Sequence, residues 1–406
     1  MRLLLLCIPT NSNGNESLFS DGDITKVPSV TRPPLPPKRA SSQFPPTAFS
    51  SVTSVTDRVF SVPATPSSVD PVDGLVYQRQ VPVLDEGDYQ MTLEHLKTYV
   101  NNLGKRGLED EYMKLRNTQP EGSFTNSVIP HNIGKNRYRD VLTFDHSRVK
   151  LKTINIEGDP DPHDYINASH IDSYNSPNAF IMCQGPIPNT VGDFWRMVWE
   201  QNVLNIVMVT RCTEGNRLKC AQYWPEIAEG ETKFNGVYVK PIDESPSRGF
   251  VIRRFTIRTT DTDSRELTHF QYIAWPDYGV PENGDEVLHL MDTVQEEQAK
   301  LISKHFSDTT FTSPIGPPII VHCSAGIGRS GTFCSIHSLI HQYHATGMVS
   351  VQGTVRKLRR QRAYSIQAPE QYSFIYTSIL EYMERNPAGH ADIPLPQVSI
   401  DVGATD

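Results

Sequence analysis

The 406-residue chain contains no C-x-x-C pair: its six cysteines, Cys7, Cys183, Cys212, Cys220, Cys323 and Cys334, are scattered, and none stands at zinc-ligand spacing from a histidine. A disulfide framework and a structural zinc site are therefore disfavoured, which fits a reducing compartment, and a cytoplasmic location is expected. Equally missing is any run near the roughly 20 apolar residues that a spanning helix needs, so no transmembrane segment is expected. The apolar start, MRLLLLCIPT, stands at the short limit of a secretory h-region and lacks a small-x-small cleavage pattern; a disordered start or a truncated transcript accounts for it as well. Positive charge is not in excess either. With 38 Lys and Arg against 46 Asp and Glu, the formal net charge is −8, and no nucleic-acid partner is expected. There is no internal repeat, and 37% hydrophobic residues in a chain of this length suffice for one large core with extensions.

Residues 1–85 are rich in Pro, Ser and Thr and hold no lasting hydrophobic period, so they are expected to form a disordered arm. Within it RPPLPPKR carries P-x-x-P-x-R as Pro34, Pro37 and Arg39, which fits an SH3-type groove as a polyproline ligand and fits equally a plain spacer. From Met91 the pattern changes. Leu93, Leu96, Val100 and Leu103 recur at helical spacing, and after a break at Gly104 to Gly107 so do Leu108, Tyr112 and Leu115. Short apolar runs of the buried-strand kind, NIVMVT at 205–210 and PIIVH at 318–322, alternate with amphipathic stretches such as Val191 to Gln201 and 372–383. An α/β domain over 91–386 is expected, with a disordered tail over 387–406.

The most informative stretch is VHCSAGIGRSG, 321–331. An apolar strand runs into a Gly-rich turn, and Arg329 and Ser330 then lead into a helical pattern. Successive N–H groups of such a turn, Ser324, Ala325, Gly326, Ile327 and Gly328, point inward, and the helix start adds partial positive charge, forming an anion cradle. A sulfur at Cys323 in that field is stabilised as a thiolate nucleophile. Arg329 presents a planar fork to two oxygens of a tetrahedral phosphate, where lysine offers a point charge. The pattern therefore suits phosphoryl transfer to sulfur. Cys and Arg six residues apart are weak evidence alone, since most free cysteines are inert and buried.

The full string, from His322 to Gly331, resembles the signature of the protein tyrosine phosphatases. That resemblance implies a single phosphatase domain with a mixed central sheet flanked by helices, no cofactor or metal, and phosphotyrosine proteins as substrates. It covers about 91–386, including DYINASHI (164–171) and CQGPIPNTVGDFW (183–195). WPDYGVP, 275–281, is similar to the family's mobile acid loop, which makes Asp277 the implied general acid and Trp275 its anchor. In YSIQAPEQY, Gln367 resembles the water-positioning glutamine and Gln371 its neighbour. KNRYRDV, 135–141, resembles the loop whose tyrosine lines the phosphotyrosine slot, so Tyr138 would stack on the ring and Asp140 hold the substrate backbone. TEGNRLKCAQYWP, 213–225, brings Glu214 and Lys219 as supporting groups, and Ser330 supplies the hydroxyl for the departing thiolate. QRAYSIQAPEQY further resembles the non-receptor type that elsewhere carries an N-terminal CRAL-TRIO domain, which is not recognised in this chain.

Tyr364 stands where some relatives have a glycine that opens a second anion pocket, so that route is expected to be narrowed and Arg359 to lose its part in it. RKLRRQR, 356–362, reads either as a steering patch for acidic peptides or as a solvated helix face. Two other readings compete with the enzyme: an inactive phosphotyrosine-binding scaffold, opposed by the presence of Cys323, Asp277 and Gln367, and a dual-specificity or lipid phosphatase, opposed by the Tyr138 loop.

Overall fold

The computed structural model describes residues 89–154, 161–276, 278–306, 311 and 313–387. The arm with Pro34, Pro37 and Arg39, Asp277, and the tail beyond Pro387 lie outside the described residues. The strands are β1 (Arg148–Lys150), β2 (Tyr165–Ser173), β3 (Ser176–Cys183), β4 (Asn205–Met208), β5 (Thr213–Glu214), β6 (Arg217–Leu218), β7 (Thr232–Phe234), β8 (Val237–Pro246), β9 (Phe250–Arg258), β10 (Ser264–Tyr272) and β11 (Ile319–His322). The helices are α1 (Leu93–Asn117), α2 (Pro130–Ile133), α3 (Val191–Glu200), α4 (Asp285–His305), α5 (Arg329–Thr346), α6 (Val351–Gln361) and α7 (Pro369–Arg385).

Among the described residues nine strands form one mixed sheet in the order β1-β2-β3-β11-β4-β10-β9-β8-β7, and β5 and β6 make a separate hairpin. The four middle strands, β3, β11, β4 and β10, run parallel, while both flanks are antiparallel. Strands buried on both faces read as continuous apolar runs, and β4 and β11 are buried throughout. Alternation assigns their side chains to two cores. Val321, Val207 and Met182 face the layer of α1, α4, α5, α6 and α7, whereas Ile320, Ile206, Met208 and Ile181 face Trp195 of α3. The sheet is thus a sandwich filling, and β11, one of its four parallel strands, delivers Cys323 at its carboxyl end, where open α/β sheets place their ligands.

The break expected at Gly104 is present as a kink inside α1, where Gly104 adopts φ +58°. Thr92 caps the helix, its hydroxyl accepting from His95 N at 3.4 Å. The two halves dock on α7 through Glu111, which accepts from the hydroxyls of Tyr372 (2.6 Å), Tyr376 (2.7 Å) and Tyr99.

A second anchor, Asp145, organises the turn at Ser123 to Asn126 that precedes α2. Partial burial opposes its ionisation, but hydrogen bonds from Ser123 Oγ (2.6 Å), Asn126 N (2.9 Å), Asn126 Nδ2 (2.7 Å) and Thr125 N (2.8 Å) outweigh it and hold the carboxyl well below its ordinary range. A carboxyl depressed on folding lends stability above its unfolded value, and that stability is lost as the pH falls through the unfolded value toward the folded one. Asp145→Asn is expected to lower Tm at pH 7 and to flatten the fall of Tm between about pH 4 and pH 2. Circular-dichroism melts across that range check this; an unchanged acid slope contradicts the anchoring role.

Candidate active site

The loop from Cys323 to Gly328 joins β11 to α5. Its carbonyls are engaged on the outside: Gly185 N donates to Ser324 O (2.9 Å), Arg362 to Ala325 O (3.2 Å) and Gly326 O (2.6 Å), and Ile366 N to Ile327 O (3.0 Å). Because C=O and N–H of a trans peptide point in opposite directions, the N–H groups of Ala325 to Gly328 turn to the inner side. Four consecutive amides, Ala325 to Gly328, thus share one side of the loop, and the way they are held is visible. Gly326 sits at φ +68°, and a Cβ there would lie 1.9 Å from Cys183 O. Only glycine lets the loop press so closely against β3. Gly326→Ala is expected to lower kcat/KM by about 100-fold or more, since a shift near 1 Å displaces the cradle; near-normal kinetics in a folded variant contradict this.

Arg329 opens α5 and turns its fork toward the β5–β6 hairpin. Its Nη2 donates to Glu214 Oε2 at 3.0 Å and its Nη1 to Oε1, and it also reaches Pro276 O at 3.2 Å. Burial works against an ionised Glu214, but the hydrogen bond and charge of Arg329 hold its carboxyl below the ordinary range. Thr210 Oγ1 adds a donor at 2.9 Å. Lys219 Nζ stands 4.0 Å from the same carboxylate. The Trp275 ring centroid lies 5.8 Å from the guanidinium carbon, and its Nε1 donates to Gly279 O at 3.2 Å. Asp277 itself lies outside the described residues.

Tyr138, 36% exposed, sits at the rim. Ser324 Oγ gives its hydrogen to Lys219 O (2.9 Å), so Tyr138 Oη donates to Ser324 Oγ (2.9 Å). Asp140 is exposed beside it. Gln367 N donates to Gln371 Oε1 at 2.9 Å, and a Cβ at Gly328 would lie 3.3 Å from Gln367 Cβ and 3.0 Å from the Gln371 amide. Gln371 thus braces the Gln367 loop against the cradle. Ser330 Oγ is fully buried and has no hydrogen-bond partner among the described residues. Pairwise contacts link Arg329 to Glu214 and Trp275, Lys219 to the same carboxylate, Tyr138 to Ser324, and Gln367 to Gly328 of the loop that starts at Cys323.

Beneath the loop, burial pushes His322 down to about 4 and the Cys183 thiol up to about 12, and raises Cys220 and Cys334 well above their ordinary values. These three cysteines are inert packing groups beside the one in the cradle. Two functional side chains escaped the sequence reading. Arg137 holds the β3–α3 turn by donating to Gly185 O (2.9 Å) and Pro186 O (2.7 Å). Arg362 belongs by sequence to the RKLRRQR run, yet it is 0% exposed and donates to Ala325 O and Gly326 O. Only its position after the end of α6, where the helical face no longer continues, could have marked it as different.

Tyr364 occupies the place expected to narrow a side route. It adopts φ +61°, a left-handed conformation uncommon for an aromatic residue, and lines a shallow cleft with Leu115, Glu121, Arg356 and Arg359. Arg359 there donates to Ser365 O (3.4 Å) and Arg116 O (3.3 Å).

Comparison with known proteins agrees with this geometry. The protein-tyrosine phosphatase family model matches residues 132–381. The chain is 42% identical over 332 residues to mouse tyrosine-protein phosphatase non-receptor type 9, which covers 79% of this chain and 55% of the relative. It is 41% identical over 271 residues to human receptor-type tyrosine-protein phosphatase C, covering 66% of this chain and 19% of the relative. The chain spans about half the length of the non-receptor relatives it matches. It belongs to the protein-tyrosine phosphatase family. Among the described residues no helix is long and apolar enough to cross a membrane.

Proposed function

We propose that the chain hydrolyses phosphotyrosine in proteins through a cysteinyl-phosphate intermediate, acting in the cytoplasm. The observation that carries the reading is the cradle itself: inward N–H groups and a Glu214-braced Arg329 fork around Cys323, with Tyr138 at the rim. In the first step the Cys323 thiolate attacks phosphorus, and the P–O bond to the phenol breaks. The electron pair leaves on the phenolic oxygen, which takes a proton from Asp277. The N–H groups of Ala325 to Gly328 hold the equatorial oxygens without reorganising, and Arg329, braced by Glu214, turns a donor to them from Pro276 O. In the second step Asp277 takes a proton from a water placed by Gln367. The hydroxide equivalent attacks phosphorus and the thiolate leaves, receiving a hydrogen bond from the unpartnered Ser330 hydroxyl.

Tyr138 makes the slot selective by depth. A phosphotyrosine reaches the floor with its ring against Tyr138, whereas phosphoserine is too short to engage both. The test is hydrolysis of a phosphotyrosine peptide beside its phosphoserine twin, in EDTA, with wild type and Asp277→Ala. Turnover of the phosphotyrosine peptide alone, falling about 100-fold or more in the variant, is expected. Comparable rates on phosphoserine or phosphoinositide would contradict the substrate class, and tight peptide binding without turnover would favour a phosphotyrosine-binding scaffold. The N-terminal P-x-x-P-x-R segment is proposed as an SH3 ligand on its sequence alone; a pull-down by immobilised SH3 domains that is lost in Arg39→Ala checks it.

A further inference from the structure

Behind the cradle lies a buried polar chain that the proposed chemistry does not use. Tyr223 Oη stands 2.7 Å from His322 Nε2 and 2.9 Å from His269 Nε2, and His322 Nδ1 lies 3.3 Å from Cys323 O. Tyr223, His322 and His269 are all essentially without solvent contact. Burial lowers both imidazoles, so both are neutral at physiological pH and each carries a single ring proton. One hydroxyl hydrogen cannot serve two imidazole acceptors. One histidine must therefore donate to Tyr223 and the other accept from it, and the direction is decidable.

If His322 donated from Nε2, its Nδ1 would turn a bare lone pair toward Cys323 O, and His269 would carry its proton on Nδ1. His269 Nδ1 is buried with no hydrogen-bond partner among the described residues, so that arrangement strands a buried N–H and sets two acceptors face to face. The opposite direction strands only a lone pair on an aromatic nitrogen. His269 Nε2–H then donates to Tyr223 Oη, Tyr223 O–H to His322 Nε2, and His322 Nδ1–H to the carbonyl of Cys323. The Tyr223 and His322 donors are each strengthened by the bond that the same group accepts.

We propose that His269, on β10, is a positioning residue which acts through Tyr223 to fix the tautomer of His322, so that His322 holds the Cys323 carbonyl and with it the nucleophile's place in the cradle. Trp224 covers His269 with ring centroids 4.8 Å apart, and Arg253 lies 4.8 Å over Trp224 in turn, which keeps water from the open nitrogen. Removing the His269 donor frees the Tyr223 hydroxyl to rotate, and His322 can then take either tautomer. The catalytic consequence rests on the proposed phosphatase reading, whereas the tautomers themselves do not.

The test is long-range proton–nitrogen NMR of the full chain labelled in histidine, with turnover of a phosphotyrosine peptide measured in parallel. Wild type is expected to show His269 protonated at Nε2 and His322 at Nδ1. In His269→Leu the His322 signals should move toward a mixture of tautomers, with kcat reduced about tenfold and KM little changed. His269→Gln, whose amide can still donate to Tyr223, should restore the His322 signals and most of the rate. His322 protonated at Nε2 in wild type, or wild-type signals and kcat in His269→Leu, overturns the relay. If His269→Leu does not fold, the wild-type tautomers alone decide it. A chain with no turnover but the stated tautomers would sink the phosphatase reading and leave the relay standing.

Discussion

Cys323→Ser is expected to reduce turnover of a phosphotyrosine peptide by about 10⁴-fold or more while leaving the peptide bound as tightly as in wild type, within about threefold. The asymmetry follows from how the cradle is built. Its inward N–H groups are oriented by bonds on the outer side, to Gly185, Arg362 and Ile366, and its fork is braced by Glu214. None of these passes through the sulfur. Exchanging sulfur for oxygen removes the nucleophile and keeps the anion site. Calorimetric titration with a phosphopeptide beside stopped-flow turnover separates the two effects, and a serine variant that kept a substantial rate would remove Cys323 from the chemistry.

Arg362→Met should damage both fold and function. Arg362 is fully buried and gives its hydrogens to Gly326 O (2.6 Å), Ala325 O (3.2 Å), Asn167 Oδ1 (2.8 Å) and Ser169 Oγ (3.2 Å). Methionine fills a similar volume but leaves those acceptors dry and unpaired. Losing several charge-assisted donors in a buried site is expected to cost about 4 kcal/mol of stability. The same change frees the two carbonyls that turn the cradle amides inward and removes a positive charge just beneath the proposed phosphate site. Phosphopeptide affinity should therefore fall together with kcat, unlike in Cys323→Ser. Arg362→Lys, keeping charge but not the planar fork, should lie between. Urea unfolding and peptide titration read the two losses; a stable, tightly binding Arg362→Met would show that the loop is shaped by its own sequence.

That residue also marks where sequence reading stopped. The strands β4 and β11 were legible because burial on both faces leaves continuous apolar runs, and the kink in α1 because glycines interrupt a helical period at Gly104. Cys323, Arg329 and their glycines were legible because the proposed phosphate cradle calls for those residue types at fixed spacing. What could not be read were groups acting across the fold. Arg362 looks like its basic neighbours until α6 ends and turns it inward. His269 looks like any polar residue in a strand until β10 lines up beside β4 and brings it to Tyr223. Residues separated by 36 positions, as Arg362 and Gly326 are, meet only once the sheet exists.

The central claim is that phosphate passes through the sulfur of Cys323, and trapping that species tests it most directly. A phosphotyrosine peptide labelled in the phosphate is mixed with Gln367→Ala, in which the second step should be slowed, quenched in acid within one turnover, and mapped by proteolysis. The account predicts label on the fragment carrying Cys323, released by iodine as expected of a thiophosphate and absent from Cys323→Ser. Turnover without any trapped label, or label on another residue, would contradict it.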